Sequence, residues 1–233
     1  MAETSVARRE VKYRPDPATA HALSAKMAKL LPVDKPGPRD GYAVRSLYFD
    51  TLHDKDFHEK MDGLEVRHKL RLRIYSPTDT TAKLEEKKKW GRDQWKHSAT
   101  IAREDAELMA QGRYQEVLRR YKSPFVQTIL RQMIMEGYRA KTVVEFRRLA
   151  FTHPANETRI TFDTALSASE ADFDLFSPAP HLYPIDCPVI LEVKYNRFLL
   201  SHIKGVLELA GQEPVSVSKY CLGRRLGMVG GRS

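Results

Sequence analysis

Charged side chains recur at every second position in several segments of this 233-residue chain. In Lys69-Leu70-Arg71-Leu72-Arg73-Ile74-Tyr75, three cations alternate with three aliphatic residues. Between Lys83 and Lys89, one parity carries Lys83, Glu85, Lys87 and Lys89. Glu10 and Lys12 share a parity near the start, and Glu192 and Lys194 share one near the end. Arg148 and Arg159 add cations to two further β-rich stretches. Residues i and i+2 of a strand point to the same side, so each segment presents a charged face opposite an apolar one. A single face of this kind is ordinarily left in water. Its repetition across many strands says more, because like charges crowded on one sheet face repel unless counter-charges arrive. Glu10, Glu85 and Glu192 offset only part of the positive charge. Guanidinium forks grip two phosphate oxygens at once, and ammonium groups act as compact point charges. The interspersed glutamates suit a divalent cation that bridges phosphates, since Mg²⁺ and Mn²⁺ take oxygen ligands. The chemistry implied is the holding of a linear polyanion.

The elements that must position these residues are strands with helices between them. The pattern predicts strands over Arg8–Tyr13, Tyr42–Phe49, Leu64–Tyr75, Ala82–Trp90 and Gln94–Ala99, then over Lys141–Phe151, Arg159–Asp163 and Val189–Tyr195. Asp16-Pro17 reads as an N-cap followed by proline in the first turn, with Ala22, Leu23, Met27, Leu30 and Leu31 as the buried face. Asp50 is placed to cap a short helix ending at Met61. The middle is helical over Glu104–Gln111, Tyr114–Tyr121 and Phe125–Glu136. Later helices cover Ser201–Ala210 and Lys219–Leu226, with a frayed tail over Gly227–Ser233. Strands on both sides of a helical middle favour one mainly antiparallel α+β domain spanning 1–233 over two separate domains. Turned inward and closed into a barrel, with helices packed around it and one helix at the C-terminus, the charged faces would line a cationic tunnel.

The bulk properties set bounds on function. Hydrophobic residues make up 42% of the chain, enough for a packed core, and the net charge is +9. That charge points to a polyanionic partner without naming it. Cys187 and Cys221 have no metal-ligand spacing and make no disulfide framework. No Gly-rich phosphate loop follows a strand, and the eight histidines show no zinc-ligand spacing. Trp90 and Trp95 flank a Lys/Arg-rich turn where bases could stack, but two tryptophans are thin evidence, so nucleic acid is not the expected partner. Met1–Arg9 has no apolar stretch of the signal-peptide kind, and no run is long enough to span a bilayer. The expectation is a cytoplasmic protein that meets a membrane only through a separate membrane protein.

A set of ordered motifs narrows this further. They are Arg9-Glu-Val-Lys-Tyr13, Ser46-Leu-Tyr-Phe-Asp-Thr51, Lys69-Leu-Arg-Leu-Arg-Ile-Tyr75, Leu84-Glu-Glu-Lys87, Phe146-Arg-Arg-Leu-Ala-Phe151, Arg159-Ile-Thr-Phe-Asp-Thr164, Leu191-Glu-Val-Lys-Tyr195 and Ser218-Lys-Tyr220. In this order the chain resembles a vacuolar transporter chaperone (VTC) domain, the polyphosphate polymerase branch of the triphosphate tunnel metalloenzymes, also called CYTH-like proteins. The resemblance implies a tunnel of antiparallel strands with the active site inside it. It implies that Arg71, Arg73, Lys87, Arg148 and Arg159 act on the reacting phosphates and that Glu192 ligates Mn²⁺ or Mg²⁺. Lys12, Lys96 and Lys219 match lysines that hold the substrate or the product chain. Lys69, Lys89, Lys194, Glu10 and Glu85 join that set through the strand faces they share. Three departures stand out. The sequence shows no SPX domain or membrane segment, Ser216 replaces a lysine of the yeast enzyme, and Phe146 replaces the usual tyrosine.

The reaction so implied transfers the terminal phosphoryl of ATP, or of another nucleoside triphosphate, to a growing polyphosphate. The same tunnel could instead hydrolyse triphosphate or polyphosphate. Hydrolytic relatives typically open with Glu-x-Glu-x-Lys, and here Arg8-x-Glu10-x-Lys12 lacks the first carboxylate. A subunit that only binds polyphosphate, pyrophosphate or nucleotide is the third reading.

Overall fold

The computed structural model describes residues 8–34, 41–91, 93–208 and 213–230. Its strands are β1 (Arg8–Tyr13), β2 (Tyr42–Asp50), β3 (Val66–Ile74), β4 (Thr81–Trp90), β5 (Asp93–Ala102), β6 (Arg139–His153), β7 (Thr158–Ser169), β8 (Tyr183–Pro184) and β9 (Val189–Asn196). Its helices are α1 (Pro17–Leu30), α2 (Lys55–Met61), α3 (Arg103–Ala110), α4 (Tyr114–Leu118), α5 (Pro124–Met135), α6 (Ser201–Glu208) and α7 (Lys219–Gly230). The hydrogen-bonded strand order is β1-β9-β7-β6-β2-β3-β4-β5, with β8 beside β7. The α+β, antiparallel expectation holds, but the sheet is not closed. Closure gives every strand two neighbours, whereas among the described residues this order ends at β1 and β5. Exposed Arg9 and Lys96 lie on those end strands, and charged side chains of this kind blunt an open edge.

The chain divides into two compact units, each assembled from separated segments. One contains the chain up to Ala43, Phe146–Leu166 and Pro184–Val217. Its core gathers Leu23 and Met27 with Phe151, Phe162, Leu191 and Ile203. Asp16 caps α1 as expected, its carboxylate accepting from the Thr19 amide at 2.9 Å, with Pro17 in the first turn. The buried face of α1 is Ala20, Leu23 and Met27, followed by Leu31. Ala22 and Leu30 are exposed; Ala22 falls off that i, i+3, i+4 stripe, whereas Leu30 is in phase with it but is the last residue of the helix. Gly41, at φ +84°, lies against β6 so closely that a Cβ would sit 2.1 Å from the Arg148 carbonyl oxygen.

The second unit contains Val44–Glu145, Ser167–Tyr183 and the chain from Ser218 on. Leu70, Leu72 and Ile74 of β3 and Leu84 of β4 turn their apolar parity toward Ile129, Leu130 and Met133 of α5. Asp50 caps α2 from a distance, accepting from the amides of Asp56 and Phe57 at 2.9 Å each. The helix α7 runs beyond Leu226 to Gly230, so its last turns replace the expected frayed tail; residues 231–233 lie outside the described residues. Gly223 lets α7 approach the sheet, since a Cβ there would stand 3.0 Å from Thr142 and Val144. The predicted helix over Ser201–Ala210 is found as α6, its final two residues also outside the described set.

Candidate functional site

Strand register sets the chemistry of the second unit. Tyr48 of β2 pairs with Arg71 of β3, Arg71 with Glu85 of β4, and Glu85 with Ser98 of β5. The next rung is Ser46, Arg73, Lys83 and Thr100, and the rung on the other side brings Lys69, Lys87 and Lys96 together. Glu85 is the hub. It accepts from Arg71 Nε at 2.7 Å, stands 3.7 Å from Arg73 NH1, and is ion-paired with Lys96. Burial alone would raise the Glu85 carboxyl, but Arg71, Arg73 and Lys96 hold it well below the usual carboxylate range. Arg71 also donates to the Tyr48 hydroxyl at 3.1 Å, and Arg73 donates to Ser46 at 3.2 Å. Burial would raise the Tyr48 phenol, yet Arg71, Arg73 and Lys219 outweigh it and lower it.

The helix α7 finishes this cluster. Lys69 donates to Ser218, just before the helix, at 2.7 Å. Tyr220 stacks on Tyr48 with ring centroids 5.3 Å apart and donates to Asp50 at 2.5 Å. Arg224 holds the helix through Asp54 at 2.7 Å and through Glu170. Lys89 stands one rung further out, opposite Arg67 and Gln94.

The other unit carries a second cluster. Across β1 and β9, Glu10 faces Lys194 and Lys12 faces Glu192, a checkerboard of alternating sign. Lys12 lies 3.1 Å from Glu10 and 3.4 Å from Glu192, and Lys194 pairs with Glu192 and, at 3.7 Å, with Glu10. Burial would lower the Lys12 ammonium, but Glu192 and Glu10 raise it. On β7, Arg159 pairs in register with Lys194, and Thr161 with Glu192. Arg159 donates to Asp34 at 2.6 Å and to the Tyr42 hydroxyl at 3.1 Å. Arg148 makes a fork on fully buried Asp163, at 2.6 and 2.7 Å, with its guanidinium 5.1 Å from the Phe146 ring centre.

Among the described residues, no three His, Cys, Asp or Glu side chains gather as a closed metal cage. Glu10 and Glu192 supply two hard carboxylates on adjacent strands. That set fits Mg²⁺ or Mn²⁺ of the kind held by one or two carboxylates plus phosphate oxygens and water. Such an ion would compete with Lys12 and Lys194 for these oxygens.

The sequence profile of the VTC domain matches residues 7–227. The chain belongs to the VTC domain family. No curated protein sequence matches it. Two solved structures share its fold. One is a candidate adenylate cyclase from Bacillus halodurans, 13% identical with a TM-score of 0.56, covering 94% of this chain and 96% of that one. The other is a candidate adenylyl cyclase from Hippeastrum with a dominant triphosphatase activity, 15% identical with a TM-score of 0.53, covering 94% and 95%. At these identities the two structures show a shared fold.

Every residue of the alternating faces lies in one of the two clusters. Arg71, Arg73, Lys83, Glu85, Lys69, Lys87, Lys96, Lys89 and Lys219 belong to one unit, and Glu10, Lys12, Arg148, Arg159, Glu192 and Lys194 to the other. Sequence reasoning missed the partners that aim the guanidiniums. Asp163 follows Arg159 at the same parity and Ser46 precedes Tyr48 at the same parity, so a period-2 count carried one step further finds both. Asp34 has no such signal. A third polar group was also missed. His68 lies 2.9 Å from Glu86 and 3.1 Å from the Tyr138 hydroxyl, and His97 lies 3.4 Å from Glu86. This group sits on the core-facing parity of β3, β4 and β5, where Lys88 reaches Glu86 at 2.9 Å.

Proposed function

We propose that this VTC domain is a metal-dependent polyphosphate polymerase. The terminal phosphoryl of ATP or another nucleoside triphosphate leaves its bridging oxygen, bonds to the end oxygen of a polyphosphate, and releases the nucleoside diphosphate. The observation that supports this most is the state of Glu85. Arg71, Arg73 and Lys96 converge on this one carboxylate, the gathering of cations that a chain of phosphates would use. A terminal phosphate is already anionic and needs no base, so cations that position and neutralise are sufficient. Arg71 and Arg73, with Arg148 and Arg159, would bind non-bridging oxygens through their forks. Lys69, Lys87, Lys89, Lys96 and Lys219, with Lys12 and Lys194, would hold the chain as point charges. Glu192, aided by Glu10, would hold Mn²⁺ or Mg²⁺, which supplies charge neutralisation at the phosphates.

The triphosphatase activity of the Hippeastrum protein favours a second reading, in which water replaces the acceptor. Incubation of the purified chain with ATP and Mn²⁺, followed by gel separation, decides between them. A ladder of long chains is the expected product. Free phosphate alone overturns the polymerase in favour of the hydrolase, and tight polyphosphate binding without turnover makes the chain a binding subunit. Glu192→Gln abolishes Mn²⁺-stimulated turnover, whereas full metal-stimulated turnover in that variant would refute the metal assignment.

A further inference from the structure

The helical hairpin α4–α5 has a feature that phosphate chemistry does not use. Between its two helices lies an open groove of about 360 Å³, lined by Gln115, Leu118, Arg119, Arg131, Ile134 and Met135. The buried face of α5 is already complete with Val126, Ile129, Leu130 and Met133. Ile134 is only partly buried against that core, and Met135, 84% exposed, is surplus to it. An unbranched thioether at the surface fits itself to a variable apolar partner.

The lips of the groove are cationic. From Arg113 to Arg139 the chain carries six cations, Arg113, Arg119, Arg120, Lys122, Arg131 and Arg139, against only Glu116 and Glu136. Glu116 is taken up by one of these six cations and Glu136 by a residue outside the stretch. Glu116 receives a fork from Arg113 at 2.6 and 2.7 Å, and Glu136 accepts from Lys55 at 3.0 Å and Gln132 at 2.9 Å. Arg120 is paired with Asp105 at 2.6 Å, so the positive excess of this stretch falls on the lips of the groove, at Arg119 and Arg131.

We propose that this groove docks an acidic amphipathic helix of a partner protein. The apolar floor takes the helix's aliphatic ridge, and Arg119 and Arg131 meet carboxylates on its flanks. Charge selects this occupant over a second copy, since a chain of net charge +9 would bring like charge to like. The concave shape selects it over a flat membrane, and the absence of an aromatic floor selects it over nucleic acid.

The test uses the full chain and a fluorescein-labelled synthetic helix with leucines at i, i+3, i+4 and i+7 and glutamates on both flanks. Saturable binding is expected, weakened about tenfold by Arg119→Glu with Arg131→Glu, a loss on the scale of one hot-spot contact. Met135→Lys weakens it as well, while turnover of ATP stays at the wild-type level in all three substitutions. Equal binding of a lysine-flanked version of the helix overturns the proposal. So does acidic-helix binding that the arginine substitutions leave unchanged, no binding at all, self-association through this face, or capture by anionic phosphatidylserine vesicles in place of the helix. Because ATP turnover is measured separately, failure here is distinct from failure of the polymerase reading.

Discussion

Replacing Glu85 by glutamine keeps the shape of the side chain and removes the charge that three cations share. The contacts at stake are Arg71 at 2.7 Å, Arg73 at 3.7 Å and the Lys96 pair. Losing one partner of a buried ion pair costs about 3–5 kcal/mol. Arg71 and Lys96 keep 23% and 53% of their side-chain surface in water, so screening places the expected loss near the low end, about 3 kcal/mol. For a chain of this length that lowers Tm by roughly 6–12 °C. An anion that takes over the carboxylate's place should restore it. Tripolyphosphate at a hundredfold excess over its Kd adds about 2.7 kcal/mol, nearly the whole deficit. The assay is thermal unfolding of wild type and Glu85→Gln across a tripolyphosphate titration. The variant is expected to start lower and to gain more per increment of ligand. An unchanged starting Tm, or a smaller gain in the variant than in wild type, would refute the view that Glu85 stands where phosphate oxygens bind.

Other perturbations read out the supports of the two clusters. Tyr220→Phe keeps the stack on Tyr48 but removes the donor to Asp50. It should cost about 1.5–3 kcal/mol in denaturant unfolding, and an unaltered midpoint would show that α7 is held by other contacts. For His68, burial would lower the pKa, but hydrogen bonds to Asp56 and Glu86 raise it from 6.5 to about 9. A raised folded-state pKa contributes stability that is complete below pH 6.5 and lost as pH rises through about 9. Urea unfolding between pH 6 and 10 should therefore show a fall that His68→Gln abolishes, and the same slope in both proteins would count against it. Gly41→Ala forces a left-handed φ on alanine and drives a Cβ into the Arg148 carbonyl. A loss on the order of 2–5 kcal/mol is expected, and a variant as stable as wild type would show that β6 yields there.

Which of these features could be read in the sequence follows from how local each one is. The charged parity of Lys69, Arg71 and Arg73 is visible because strand alternation is set within a few residues. The Asp16-Pro17 cap is equally local. The assignment of Ala22 to the buried face of α1 failed because residue type was followed where helical phase decided, and that of Leu30 because the helix ends there, which its periodicity does not show. His68, Glu86 and His97 meet only through the register of three strands, which no single segment specifies. The match of Arg148 to Asp163 also needs two strands, although both residues lie inside recognised motifs. Closure of the sheet depends on whether its first and last strands pair, the least local property of all.

The bond between Tyr220 and Asp50 spans 170 residues of chain. At 5–20 residues per second, a ribosome takes roughly 10–30 s to cover that distance. Through that interval β2, β3 and β4 can already exist while Lys69 lacks its Ser218 partner and Tyr48 lacks its stacking ring. The charged cluster of the second unit is therefore complete only once α7 has been made. On the polymerase reading, a nascent chain carries its basic strands through that interval before it holds the geometry to sort one polyanion from another.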